Sequence, residues 1–337
     1  MTTTVVGSYN LNNLFLNTAK ILTSRGQVSS SRNGDVTSLN NVALELSNPL
    51  ARHLHLEGRN NNIFSVIAEL FWVMSGSDEI NPFLSFYLPR AELYSDDGET
   101  WRGAYGPRIY AHNQLENAIN MFKKDGLHTR RSVIDIYQSD IDSGVETKDL
   151  PCNNLIHFFV SNGELDMNVF SRSADLVWGV TNVNIPEWTF LQEYVAQRVG
   201  VPVGSYTHWC TNLHVYDFTR TQVDTALKEN SLPLRLGTKP CVFPEGDAKK
   251  CREFFEDLIQ FYLDIIEGHE GDKLCEIFSY YDVPFANNQL WDYALVLARY
   301  TQNKVDNNQY QAFWDTGLSS DFKSALLDSK SRNFDIL

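Results

Sequence analysis

Cys152 is the residue in this chain whose type and setting suit it best to covalent chemistry. It stands in Leu150-Pro151-Cys152-Asn153-Asn154. A lone cysteine is most often a small buried hydrophobe. Its functional alternative is a thiolate nucleophile, and a free thiol with a pKa of ~8.5 needs nearby positive charge to ionise at neutral pH. Partners of suitable type occur in three other segments. His128-Thr129-Arg130-Arg131 lies upstream. An Arg pair is usually a solvated surface feature, but guanidiniums can also clamp a phosphate. Ser171-Arg172-Ser173-Ala174-Asp175-Leu176-Val177-Trp178-Gly179 lies downstream, where an Arg near an Asp is ordinarily an ion pair worth little when exposed. In Asn212-Leu213-His214-Val215-Tyr216 the His and Tyr are two apart, so on a strand they share a face and can reach one ligand. Glu69 is the single acid in the apolar stretch from Asn62 to Ser75. A carboxyl in such surroundings invites a raised pKa, which suits it to proton transfer.

The elements that must position these residues are of both kinds. The stretch 62–75 reads as a buried helix, and 114–124 as a short amphipathic one with Leu115, Ala118, Ile119 and Phe122 on one face. The centre, 132–220, is strand-like. Ser161-Asn162-Gly163-Glu164 between apolar runs signals a hairpin. Residues 187–198 read as a helix with Trp188, Leu191 and Val195 on one stripe. From 247 onward the pattern is helical, with a last helix near 308–328. Residues 1–60 are rich in Asn, Ser and Gly, with a loop at 29–35, and 93–109 reads as a Gly-rich loop. This is one α+β domain: 1–240 as a catalytic region and 241–337 as a helical C-terminal portion of it.

With 337 residues, 43% hydrophobic and 21% charged, the chain can bury a sizeable core. A net charge of -14 argues against a surface that coats nucleic acid, yet a few local arginines suffice to hold one phosphate. No apolar run approaches the ~20 residues of a membrane span, and the start lacks a signal-peptide pattern. Five cysteines without CxxC spacing make a disulfide framework or a zinc site improbable, so a reducing cytoplasm is the expected compartment.

Arg130-Arg131, Pro151-Cys152, Arg172-Ser173-x-Asp175…Gly179 and His214-x-Tyr216, in this order and spacing, resemble the thymidylate synthase family. That family comprises thymidylate synthase and the pyrimidine nucleotide hydroxymethylases. The resemblance covers roughly Arg32 to Tyr216. Ile67 to Trp72 is similar to the family's ELLWFL helix, Tyr105-Gly106 to its YG loop, and Arg32-Asn33-Gly34 to its RTG phosphate loop. The resemblance implies a large mixed sheet with packed helices. It implies that Cys152 adds to ring position 6 of a pyrimidine nucleoside monophosphate, making carbon 5 nucleophilic toward the one-carbon unit of 5,10-methylenetetrahydrofolate. In that scheme Arg32, Arg172 and Ser173 bind the phosphate together with Arg130 and Arg131 reaching across a homodimer. His214 and Tyr216 hold the sugar, and Asn184 reads the base. Glu69 moves protons through water, Asp175 acts at the folate, and Trp101 and Tyr105 line the folate side.

Three departures bear on the product. Asn153 and His157 stand where synthases have His and Gln, and Cys152-Asn153-Asn154 is closer to a phage hydroxymethylase. The base-reading position is Val183 if counted without a gap and Asn184 with one inserted residue. The residues after 240 do not resemble the family's closing tail, and the loop at 85–101 has Asp96-Asp97-Gly98 and Trp101 in place of a tryptophan pair. A site that admits water would yield a hydroxymethyl group, so hydroxymethylation of dCMP, CMP or dUMP is the expected reaction. Methylation of dUMP is the alternative, and an inactive nucleotide-binding relative a further one.

Overall fold

The computed structural model describes residues 2–231, 236–269, 271–306 and 318–330. Its centre is an eight-stranded mixed sheet. The strands are β1 (Thr4–Ser8), β2 (Gln27–Ser31), β3 (Gly34–Leu46), β4 (Ser132–Asp135), β5 (Asn153–Ser161), β6 (Glu164–Ser171), β7 (Ala174–Asp175) and β8 (Val203–Tyr216). They run in the order β1-β3-β8-β6-β5-β4, with β2 on β3 and β7 on β8. β6 and β7 lie parallel to β8 one after the other, while β5 is antiparallel to β6.

Helices cover one face of this sheet. α1 (Leu11–Arg25) packs on β3, and α7 (Ile185–Val199) lies on β6 and β8. α2 (Ile63–Met74) packs on α7, and α9 (Ala248–Glu267) and α11 (Gln289–Val305) pack on α2. The outer helices share the inner core through aromatic contacts: Phe71 lies 5.5 Å from Phe255, and Phe64 stacks on Tyr300 at 4.0 Å. α12 (Ser320–Lys330) is tied inward by Asp321, which bonds His53 at 2.5 Å, and His53 in turn bonds Tyr293 at 2.6 Å. A further buried pair joins Arg52 to Glu193, whose other oxygen accepts from the Cys241 amide at 3.0 Å.

The opposite face of the sheet is open. On β8, Tyr206, His208 and Cys210 point into the core, while Ser205, Trp209 and Thr211 point out, as the two-residue period demands. Phe170 stacks on Trp209 on this outer face, and both keep more than a third of their surface exposed.

The helices of 62–75, 114–124 and 187–198 form as expected, at Ile63–Met74, Gln114–Asp125 and Ile185–Val199. So does the hairpin, whose Asn162 and Gly163 take φ of 52° and 82°, the two left-handed positions of a tight primed turn. Two expectations need correction. Ser29–Asp35 is a β-hairpin, with only Arg32 and Asn33 in the turn. Its serines pair with β3 because that strand offers a full ladder of partners. Within 93–109 the chain forms an α-helix at Tyr105–Tyr110. The sequence reading also passed over α1, capped by the Asn10 side chain and burying Leu11, Leu14, Phe15 and Leu22. The last helix is seen from Ser320 onward, and 308–317 of the expected span lie outside the described residues. No described helix is long and apolar enough to cross a membrane.

Candidate active site

Cys152 immediately precedes β5, and the β5–β6 ladder continues past it. Asn153 pairs with Ser171, and the Arg172 amide then donates to the Cys152 carbonyl at 3.0 Å. This cross-strand position sets the Arg172 guanidinium over the thiol, with Nη2 3.7 Å from Sγ. The same guanidinium donates to the carbonyls of Leu150 and Pro151 at 2.8 and 2.9 Å, so it also fixes the turn that presents the cysteine. Burial pushes the Cys152 thiol above its ordinary value. Arg172 and Arg32 pull it down, and Asp149 and Asp175 push it up. The free protein therefore holds a protonated thiol at neutral pH.

Arg32 reaches the same place from the β2–β3 turn. It donates to the carbonyls of Thr147 and Lys148 at 3.0 and 2.9 Å. Asp96 grips that segment as well, accepting from the Thr147 hydroxyl at 2.6 Å and the Lys148 amide at 2.9 Å. The strand leading to Cys152 is thus anchored by two loops. Tyr216, at the end of β8, lies near Asn33 of the same turn and Ser31 just before it, and burial raises its hydroxyl. His214 faces Asp175 across the β7–β8 pairing, and burial holds its imidazole below the ordinary value, in the neutral form.

Asp175 spends part of its bonding on the backbone. Its two oxygens accept from the Val177 and Trp178 amides at 3.2 and 2.7 Å and cap a π-helix, Leu176–Asn184. A carboxylate has about four lone-pair sites, so each oxygen can take another donor. Trp178, exposed to 37%, lies beside it. An acceptor next to an open indole face suits a flat, N–H-bearing ring such as a pterin. The π-helix brings Asn184, rather than Val183, to the buried start of α7, where its amide donates to Glu187 at 3.4 Å.

Behind the cysteine lies a buried polar cluster. Glu69 on α2 retains some exposed surface, but burial pushes its carboxyl up to about 8. Glu187 on α7 is 4% exposed, and burial and the nearby Glu69 raise its carboxyl well above the usual range. The Tyr105 hydroxyl lies within electrostatic range of both Cys152 and Glu187, and burial raises it. Its ring packs on Trp188, 5.0 Å away. His208 is buried beside Tyr206, to which it bonds at 2.7 Å, and its pKa falls to about 3. Several buried polar atoms here have no protein partner: both side-chain ends of Asn153, Nε2 of His208, Nε1 of Trp188 and Oε1 of Glu187. Such atoms are costly without a ligand or water to satisfy them.

Of the residues singled out from sequence, Cys152, Arg172, Ser173, Arg32, Asp175, His214 and Tyr216 meet at the ends of β5–β8 and the β2–β3 turn, with Glu69, Asn184 and Tyr105 behind them. Arg130 and Arg131 do not join them within one chain. Ser132, next to Arg131, pairs with Phe158, six residues beyond Cys152, or roughly 20 Å at ~3.3 Å per residue. Arg131 is 66% exposed and bonded at 3.3 Å only to Asp125. Trp101 packs edge-on against Trp72, and its indole N–H donates to the Ala91 carbonyl, so it mainly shapes the wall. Glu187 and His208 escaped the sequence reading. A Glu in the first turn of a helix is usually a solvated partner of the dipole. The usable signal was its place three residues after Asn184, on the same helix face.

Replacing Arg172 with Ala removes the cation nearest the thiol. The Cys152 pKa should rise further, and its alkylation by iodoacetamide at pH 8 should slow by about three- to ten-fold. The Cys152→Ala protein supplies the background from Cys275, which is exposed.

Comparison with known proteins agrees with this geometry. Residues 13–240 match the family model described as thymidylate synthase. A deoxyuridylate hydroxymethyltransferase of Delftia phage PhiW-14 is 36% identical over 330 residues, covering 93% of this chain and 92% of that protein. Proteins with the same description from Bacillus phage SP01 and Pseudomonas phage M6 are 32% and 36% identical, over 60% and 56% of this chain and just over half of their own lengths, 56% and 54%. The chain therefore belongs to the thymidylate synthase family.

Proposed function

We propose that this protein is a folate-dependent hydroxymethylase that converts dUMP to its 5-hydroxymethyl derivative. The observation that carries this reading is the set of buried polar atoms of Asn153, His208, Trp188 and Glu187 that lack a protein partner, which water molecules would satisfy. The relative that spans nearly the whole chain is described as a deoxyuridylate hydroxymethyltransferase, in keeping with this product. The π-helix, by bringing Asn184 to the buried start of α7, supports it as the base reader. A side-chain amide offers one donor and one acceptor, matching the carbonyl and N–H of uracil.

Cys152 gives its proton to water and, as a thiolate stabilised by Arg172, adds to ring position 6, the electron pair of the 5,6 double bond moving onto carbon 5 and the adjoining carbonyl. Arg32, Arg172 and Ser173 hold the phosphate, and His214 and Tyr216 the sugar hydroxyl. Glu69, its carboxyl close to neutrality in pKa, exchanges protons with the base through water. Asp175, Tyr105 and the wall that includes Trp101 would hold 5,10-methylenetetrahydrofolate, which supplies the one-carbon unit when bound. Residues 1–240 carry these groups, and 241–337 act as a helical portion of the same domain. The odd, unpaired thiols fit a reducing cytoplasm.

The open sheet face, with Phe170 and Trp209 on it, supports a homodimer in which two sheets pack face to face. Such a dimer lets Arg130 and Arg131 of one copy serve the phosphate site of the other.

Two measurements test this. Incubated with dUMP and methylenetetrahydrofolate, the protein should yield a hydroxymethyl nucleotide by mass and release tetrahydrofolate. Dihydrofolate formed at the rate of nucleotide conversion would assign methylation instead. Shared arginines are tested by mixing Cys152→Ala and Arg131→Ala subunits, each nearly inactive alone. In mixed dimers one site has both native groups, so random exchange should restore about a quarter of wild-type activity. No gain on mixing would place Arg131 outside the site.

A further inference from the structure

We propose that Glu187 is a further catalytic residue: together with Glu69 it holds, and takes the proton from, the water that turns the transferred methylene into a hydroxymethyl group. This rests on the function proposed above and assigns the group that directs its outcome.

The observations are local. Glu187 sits in the first turn of α7, where a Glu is ordinarily solvated, yet it is only 4% exposed. One oxygen, Oε2, accepts from the Asn184 amide at 3.4 Å. The other, Oε1, is buried with no protein partner. Asn184 is the candidate base reader, so Glu187 is attached to the residue that would fix the pyrimidine. The α2–α7 packing brings it to Glu69, and the charges of the two acids interact. Tyr105 packs on Trp188, the residue after Glu187, at 5.0 Å and lies within electrostatic range of both Glu187 and the Cys152 sulfur. The nearby Nε2 of His208 and Nε1 of Trp188 are also unpartnered. A second buried carboxyl is of no use to substrate anchoring, since a uracil ring and a phosphate dianion offer it little. It does suit a water molecule, which can donate to one carboxyl and accept from the other.

Two like acids in one desolvated site share protons, and their titrations belong to the pair. To take the water's proton the pair must have given one away earlier in the cycle, so that it holds one proton before the water step and two after it. At that stage the Cys152 sulfur is bonded to ring carbon 6, and carbon 5 bears an exocyclic methylene. The water oxygen bonds to the methylene carbon, and its proton passes to the carboxyl pair. The electron pair of the exocyclic double bond moves onto carbon 5 and the adjoining carbonyl. It then forms the ring 5,6 double bond as the carbon–sulfur bond breaks and Cys152 leaves as thiolate. No oxidant or reductant is needed.

The test uses the full-length protein, dUMP tritiated at carbon 5, and methylenetetrahydrofolate. Tritium release reports the steps before water attack, and the hydroxymethyl nucleotide reports completion. Wild type should release tritium and form product at equal rates. Glu187→Gln keeps the size and the polar contact but cannot take up a proton. It should release tritium in a burst of about one per active site and then form product about 10²-fold more slowly than wild type, with dUMP affinity within a few-fold. Glu187→Asp, which keeps the ionisable group, should recover most of the lost product rate. Wild-type product formation by Glu187→Gln overturns the proposal, as does a parallel fall of tritium release and product without a burst. If wild type itself releases no tritium, the function proposed above fails, and this inference with it.

Discussion

Desolvation at the Cys152 end of the sheet acts on every ionisable group there, and it always favours the neutral form. It raises the Cys152 thiol and the carboxyls of Glu69, Glu187 and Asp175, and it lowers His208 and His214. The site is thus a place where charge is expensive unless countered by a chosen partner. Arg172 counters it at the thiol, by a contact that the strand register imposes. The backbone amides of Val177 and Trp178 counter it at Asp175. Among the described residues no cation counters it at Glu69 or Glu187, so both carboxyls stay raised, Glu69 to about 8.

The sheet topology makes this convergence possible. β5, β6 and β8 lie side by side, and β7 resumes the pairing with β8 after β6 ends. The interruption at Arg172 and Ser173 sets the Arg172 guanidinium beside Cys152, just ahead of β5, and leaves Asp175 opposite His214. Covering helices add the rest from above: α2 brings Glu69, and α7 brings Glu187 and, at its cap, Asn184. The outer helices α9 and α11 touch none of the substrate groups named here. They support α2 through Phe71 and Phe64, and so hold Glu69 in place at one remove.

Much of this was legible in the sequence, and the limits have physical causes. Cys152, Arg172 and the His214–Tyr216 pair could be read because order and spacing along strands translate directly into neighbours in a sheet. Glu69 stood out as an acid in an apolar run. The choice between Val183 and Asn184 could not be made from periodicity, since a π-helix has neither the two-residue nor the 3.6-residue repeat. Glu187 was hidden because its burial comes from packing against α2, which no local pattern encodes. The Ser-rich β2 looked like a loop, and only its pairing with β3 makes it a strand. Asparagines crowding the start of α1 obscured its apolar stripe, although Asn10 is the cap that begins the helix.

The central claim is that Cys152 forms a covalent bond to a pyrimidine ring that then receives a carbon unit from folate. A dUMP bearing fluorine at carbon 5 probes this directly, because the fluorine cannot leave as a proton does and the bonded state accumulates. After incubation with this nucleotide and methylenetetrahydrofolate, intact-mass and peptide analysis should find one nucleotide and one folate per chain, on the peptide containing Cys152. An unmodified chain, or an adduct on any of the other four cysteines, would contradict the account.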